Sequence, residues 1–232
     1  TQMLAHRLLR RLRSPAWPTL ATAATSPLTP HRRPFLTSQD DYNTLKAASL
    51  HPDGQFWLDY ATAKLDWATP PKIALDATNA PFYKWFPDGE INVCHQMLDR
   101  HIEAGNGTVV AIAYDSVVGG PSRNITYDEL RTEVENFAAA LRTECGVVKG
   151  DRVLINMPMI PEALVAMLAC TRIGAVHSVV FGGFAAPELA VRIDDATPKC
   201  IVAASGGLEG LDRIVPYGVR VLVAHCWILF SS

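Results

Sequence analysis

Between Arg152 and Ala204 the chain alternates short, unbroken apolar runs with segments that open at proline or close at glycine. This rhythm limits the possible folds more than any other feature. Arg152 to Met157 reads as a buried strand. Pro161 and Glu162 open a helix that runs to Ile173 and stops at Gly174, with proline in the first turn and glycine just past the end. Its Leu164, Val165, Met167, Leu168 and Ala169 leave little polar face, so cover on both sides is expected. Ala175 to Phe181 reads as a second strand, Pro187 starts a second helix ending near Asp195, and Lys199 to Ala204 reads as a third strand. Strands apolar on both faces and joined through helices imply a parallel sheet with right-handed crossovers. The expected fold class is α/β, with a parallel β-α-β-α-β unit.

Upstream, Val109 to Tyr114 is rich in β formers, Gly119 to Pro121 supplies a turn, and Asn124-Ile125 returns as a second strand. Thr126-Tyr127-Asp128-Glu129 has the spacing of a capping box, where hydroxyl and carboxylate each satisfy a free backbone N–H. Leu130, Val134, Phe137, Ala138 and Leu141 then form an apolar stripe along one helix, which Gly146 ends.

Residues 39–106 form an aromatic-rich, mostly helical section holding Phe56, Trp57, Tyr60, Trp67, Phe82, Tyr83, Trp85 and Phe86. Rings clustered in this way are expected to wedge one layer against another, for packing rather than reaction. A helix is predicted from Asn92, as cap, to Ala104, with Leu98 and Ile102 on one face and Gly105 as the stop.

Residues 1–38 carry Arg7, Arg10, Arg11, Arg13, Arg32 and Arg33, several hydroxyl residues and no acid, with Met3, Leu4, Leu8, Leu9 and Leu12 on one side of a short helix. Basic, acid-free and amphipathic is the composition of an organellar transit peptide, and arginines interrupt any secretory apolar stretch. Import to the mitochondrial matrix is the expectation; a plain basic arm is the alternative. Over the whole chain the net charge of −2 and 19% charged residues give no reason to expect a nucleic-acid or anionic-membrane partner. The apolar end of the chain, 218–232, is too short for a bilayer span, which needs about 20 apolar residues. The five cysteines (Cys94, Cys145, Cys170, Cys200, Cys226) show no C-x-x-C pair and are expected as buried small hydrophobes. His95 and His101 lack metal-ligand spacing, so no metal site is expected.

Ligands of parallel α/β sheets bind beyond the carboxyl ends of the strands. Two glycine-containing turns fall there: Phe181-Gly182-Gly183-Phe184 and Ser205-Gly206-Gly207. Backbone amides in such turns can approach an anion, aided by the helix starting near Ala186; the glycines can equally serve tight turns alone. Neither turn matches a dinucleotide fingerprint or a P-loop.

At this point the residues resemble a family. Lys84-Trp85-Phe86-Pro87-Asp88-Gly89-Glu90-Ile91-Asn92 with Leu98-Asp99-Arg100-His101, then Ile125 to Leu130, are similar to acetyl- and propionyl-CoA synthetases. The longest match comprises Gly150-Asp151-Arg152-Val153, Pro161-Glu162-Ala163 and Ile173 through Phe184. Ala185-Ala186-Pro187-Glu188-Leu189 with Arg192-Ile193-Asp194-Asp195 is nearer the propionyl type. The resemblance covers about Gln55 to Tyr217. It implies an AMP-forming acid–thiol ligase that joins a short carboxylate, ATP and CoA, with Mg2+, in an adenylate-forming large domain. It also implies coenzyme contacts at Phe181, Gly182 and Gly183, and at Glu209, Gly210, Leu211, Asp212 and Arg213. The family often carries two arginines in that second segment; here Asp212 stands beside Arg213. Arg192 is expected as a solvated helix charge.

The family's phosphate loop ending in Pro-Lys-Gly, its acidic nucleotide segment and its adenylating lysine have no match in these 232 residues. The expected organisation is therefore a transit peptide (1–38), an acetyl-CoA synthetase-type N-terminal section (39–106), a partial AMP-dependent synthetase domain (107–217) and an aberrant tail (218–232). A ligase fragment with a partial CoA site and no catalytic residue is expected, inactive alone and poorly soluble because its sheet is cut short. Two alternatives stay open: a short mitochondrial product that binds CoA, a nucleotide or a partner without catalysis, and a non-functional product that is degraded.

Overall fold

The structure, a computed structural model, describes residues 38–116, 122–209, 213–216 and 227–230. The basic leader and the expected Gly119 to Pro121 turn lie outside the described residues. The chain divides into two compact units, Thr1–Ala47 and Ala48–Ser232.

Helix α1 (Gln39–Ser49) has acids in its first turn and Lys46 in its last, the order that the helix dipole favours. Ser38 Oγ caps it by accepting from the Asp41 N–H at 3.1 Å. Helix α2 (Gln55–Lys64) follows, then a two-stranded antiparallel ladder of β1 (Leu75–Asp76) and β2 (Lys84–Trp85). The rings here touch in a chain, with Trp57 to Trp85 at 6.2 Å and Trp85 to Phe86 at 5.8 Å. They do not form the buried wedge expected: Trp57, Tyr60, Phe82, Tyr83 and Trp85 are all exposed, Phe82 by 73%. Ring count alone does not show whether an opposing layer exists.

The helical run over 93–106 is wound wider than an α-helix, as two π-type stretches, His95–Asp99 and Ile102–Asn106. Asn92 Oδ1 accepts the His95 N–H at its start, and Gly105 takes φ 86° near its end, a backbone state that glycine adopts freely. The expected cap and stop are therefore where the sequence puts them.

Strands β3 (Val110–Tyr114) and β4 (Arg123–Thr126) pair antiparallel and lead into helix α3 (Tyr127–Thr143). The Thr126–Glu129 capping box is complete, and Leu130, Val134, Phe137, Ala138 and Leu141 are all buried. At about 1.5–3 kcal/mol for each large apolar side chain, this stripe is the main reason that α3 stays docked.

Strands β5 (Arg152–Met157), β6 (Val176–Phe181), β7 (Cys200–Ala204) and β10 (Trp227–Phe230) form one parallel sheet in the order β10-β7-β5-β6. Helices α4 (Pro161–Arg172) and α5 (Ala186–Ala196) connect its strands. Val153, Ile155 and Met157 join one core cluster with residues of α3 and α4. Leu154 packs on the other face with Val180, Ile201 and Leu189 of α5. Every residue of β7 is buried.

Three expectations change. Helix α4 is not covered all round, since Leu164 is 42% exposed. Gly206 and Gly207 do not form a turn after β7; they open β8 (Gly206–Glu209), which pairs antiparallel with β9 (Arg213–Pro216). Trp227–Phe230, read as part of a tail, pairs in parallel with β7 and adds a fourth strand. Edge strand β6 leaves Val176, Val179 and Phe181 exposed.

Candidate functional site

The register of the sheet aligns the carboxyl ends of its strands: Met157 pairs with Phe181, Asn156 with Ala203, and Phe230 with Ala204. The polypeptide leaves β6 and β7 at this level, on opposite sides of β5. With neighbouring strands about 4.8 Å apart, roughly 10 Å separates the two exits.

After β6, Phe181-Gly182-Gly183-Phe184 closes as a turn in which the Phe184 N–H donates to the Phe181 carbonyl at 3.1 Å. Phe181 is 69% exposed and meets Phe184 edge-to-face, centroids 5.7 Å apart at 82°. Phe184 itself packs on the Leu154–Val180–Leu189–Ile201 cluster. A Cβ built on Gly183 would lie 2.6 Å from Phe181 Cε1, so a side chain there would push the ring out of its present place. Helix α5 starts two residues later with no side-chain cap at Ala185 and proline in its first turn. In that turn Pro187 has no N–H, and the Glu188 and Leu189 N–H groups donate to the Ala185 carbonyl at 3.0 and 3.2 Å, beside the positive end of the helix dipole.

After β7 comes the β8–β9 hairpin, whose register sets Glu209 opposite Arg213. Gly210, Leu211 and Asp212 lie outside the described residues. The structure therefore gathers Phe181, Gly182 and Gly183 in one turn and places Glu209 and Arg213 across one ladder.

Arg192 is a partly solvated helix charge, its side chain 38% exposed, and it also meets a ring. Its guanidinium lies 4.3 Å from the Phe184 ring centroid, and its Nη1 donates to the Glu188 carbonyl at 2.8 Å and approaches Glu188 Oε2 at 3.4 Å. Asn156, the penultimate residue of β5, was also missed: it is the one buried polar side chain among the described residues, 3% exposed. An asparagine inside an apolar strand is the signal that would have drawn attention to it.

Burial with no opposing charge lowers the pKa of His177 on β6. At the amino ends of the strands, Asp151 accepts from the Val148 N–H at 2.9 Å and from Lys199 Nζ at 3.0 Å, and these bonds hold its carboxyl below the usual range. That end is tied up structurally. His95 Nε2 lies 3.9 Å from Asp66, and the His101 ring tilts against Tyr127 at 5.2 Å. Among the described residues no group of three or more His, Cys, Asp or Glu side chains is placed to hold a metal. No described helix is long and apolar enough to cross a membrane.

Residues 100–226 match the family described as AMP-binding enzyme, and residues 42–97 match the acetyl-coenzyme A synthetase N-terminus. The acetyl-coenzyme A synthetase of Streptomyces avermitilis is 57% identical over 152 residues, 66% of this chain and 23% of that protein. The mitochondrial acyl-CoA synthetase short-chain family member 3 of Bos taurus is 46% identical over 169 residues, covering 73% of this chain and 24% of that protein. Its human counterpart is 44% identical over 177 residues, 76% of this chain and 26% of that protein. The chain thus spans about a quarter of the length of these relatives.

Proposed function

This chain belongs to the AMP-binding enzymes and carries the N-terminal section of acetyl-coenzyme A synthetases ahead of the shared domain; from that premise we propose that it is the coenzyme-side part of a short-chain acyl-CoA ligase. In the proposed reaction a short carboxylate, propionate or acetate, is activated by ATP as an acyl-adenylate, and the CoA thiol then displaces AMP. ATP and Mg2+ belong to the intact enzyme. The phosphate loop and adenylating lysine associated with them have no counterpart in these residues, so no adenylation step is assigned here.

The role assigned to this chain is to hold the nucleotide end of CoA. The supporting observation is the exposed Phe181-Gly182-Gly183 turn at the carboxyl edge of a parallel sheet, next to the uncapped start of α5. An aromatic face for a base and backbone N–H groups for phosphate are the complementary surfaces that a nucleotide needs. Glu209 and Arg213, paired at the end of the β8–β9 ladder that follows β7, are proposed as the second contact. Gly210, Leu211 and Asp212 belong to the same proposed segment.

Location in mitochondria is part of the proposal. It is supported by the acid-free arginine-rich residues 1–38 and by the mitochondrial relatives. A bacterial synthetase is more similar, at 57% identity against 46% and 44%, so import of the labelled chain into isolated mitochondria, with cleavage near residue 38, is the direct check.

Calorimetric titration of the chain with CoA tests the central reading. Saturable heat that is lost in Gly183→Val is expected, because a Cβ there displaces Phe181. An absence of saturable heat would overturn it. Pyrophosphate–ATP exchange by the same preparation should stay at background, and measurable exchange would contradict the assignment of adenylation to elements outside these residues.

A further inference from the structure

The coenzyme turn has a support that neither the family match nor the sequence motif assigns. Glu188, Arg192, Phe184, Phe181 and Gly183 form a continuous stack from helix α5 to the tip of the turn. Glu188 holds Arg192 through its carbonyl, 2.8 Å from Nη1, and its carboxylate, 3.4 Å away. Arg192 lies over the face of Phe184 at 4.3 Å from the centroid. Phe184 meets the exposed Phe181 edge-to-face at 5.7 Å. Phe181 in turn covers Gly183, where a Cβ would meet its Cε1 at 2.6 Å and push the ring aside.

We infer that Arg192 is a positioning residue for the coenzyme-binding turn. It touches no part of the proposed ligand. It acts through Phe184, fixing the ring against which Phe181 orients, and so fixes the amides of Gly182 and Gly183. The inference rests on the reading of that turn as a coenzyme contact. Two features separate this role from plain helix stability. Arg192 is one turn after Glu188 on α5, where an exposed i,i+4 pair contributes little to the helix itself. Its guanidinium instead lies over a ring that packs against the Leu154, Val180, Leu189 and Ile201 cluster. Arginine suits this place better than lysine, because a flat delocalised cation stacks on an aromatic face while donating in its own plane.

The test uses the full chain with three substitutions, Arg192→Ala, Arg192→Lys and Phe184→Leu, and two readouts. Hydrogen exchange without ligand reports the order of the amides at 182–185, and calorimetry with CoA reports affinity. Arg192→Ala should speed exchange at 182–185 without changing exchange in β5 and β7. It should weaken CoA binding about fivefold, the equivalent of one cation–π contact. Arg192→Lys should recover part of both effects. Phe184→Leu should match Arg192→Ala, and the double variant should add nothing, since both break the same stack. Unchanged exchange at 182–185 in Arg192→Ala would overturn the inference, as would fully additive losses. If the parent chain gives no saturable heat with CoA, the coenzyme reading fails, while the exchange data still decide whether Arg192 orders the turn.

Discussion

Arg172 in the last turn of α4 holds Asp99 through both carboxylate oxygens, at 2.8 and 3.1 Å from Nη1. The same guanidinium reaches Glu135 on α3 at 2.8 Å and Cys94 Sγ at 3.5 Å, while Asn92 Nδ2 donates to the Arg172 carbonyl at 3.1 Å. Residues on both sides of the boundary between the two family matches thus converge on one side chain. Burial works against the Arg172 cation, but the bonds to Asp99 and Cys94 and the Asp99 charge outweigh it and raise its pKa. Since both partners are less than a third exposed, this pair should matter more than a surface ion pair.

Asp99→Asn is therefore expected to cost about 1.5–3 kcal/mol, the usual range for hydrogen bonds to charged groups. Arg172→Lys should recover little of the joint, because a point ammonium cannot hold Asp99 and Glu135 in one plane. Urea denaturation checks both. A loss below about 0.5 kcal/mol would mean that the pair contributes no more than a solvent-exposed ion pair does.

Helix α3 offers two graded changes. Thr126→Ala removes one half of the capping box and should cost about 1 kcal/mol. Leu141→Ala empties a fully buried position and should cost about 2–5 kcal/mol. The ordering of the two midpoints in urea is the informative result.

His177 sets a pH dependence. Burial lowers its pKa in the folded chain, so below the unfolded value the unfolded chain takes up a proton that the folded chain resists. The stability from neutral His177 is complete above about pH 6.5 and is lost as pH falls through that value toward the lower folded pKa. His177→Gln should flatten the melting temperature between about pH 7 and pH 5 relative to the parent. An identical slope in both chains would assign the dependence to other groups.

The thiols of Cys94, Cys145, Cys170 and Cys200 are buried, and burial pushes Cys170 up to about 12. Because the thiolate is the reactive species, alkylation of these four near pH 8 should be slow in the folded chain and fast in urea. Mass spectrometry of peptides resolves each position. Rapid native labelling of Cys170 would contradict the packed core around α4.

Much of the core was legible because local chemistry and burial agree there. Thr126 with Glu129, Pro161 with Gly174, and the stripe from Leu130 to Leu141 each carry a start, a stop or a face in the residues themselves. The glycine turn at Phe181 to Gly183 was legible for the same reason. The β8–β9 hairpin was not: Gly206 and Gly207 look like a turn, and only pairing with Val215 and Pro216 makes them strand. Trp227–Phe230 needed a long-range partner in β7 before it could count as a strand. The exposed ring chain from Trp57 to Phe86, the Arg172 joint and the Arg192 stack are relations between distant residues or faces, which periodicity does not encode.

The most direct measurement is amide exchange on the chain with and without saturating CoA, followed residue by residue. The account predicts ligand-dependent protection concentrated at Gly182, Gly183 and Phe184, with a second patch between Glu209 and Arg213. Protection confined to the helical run over 93–106 or to α3, with none at the Phe181 turn, would contradict it.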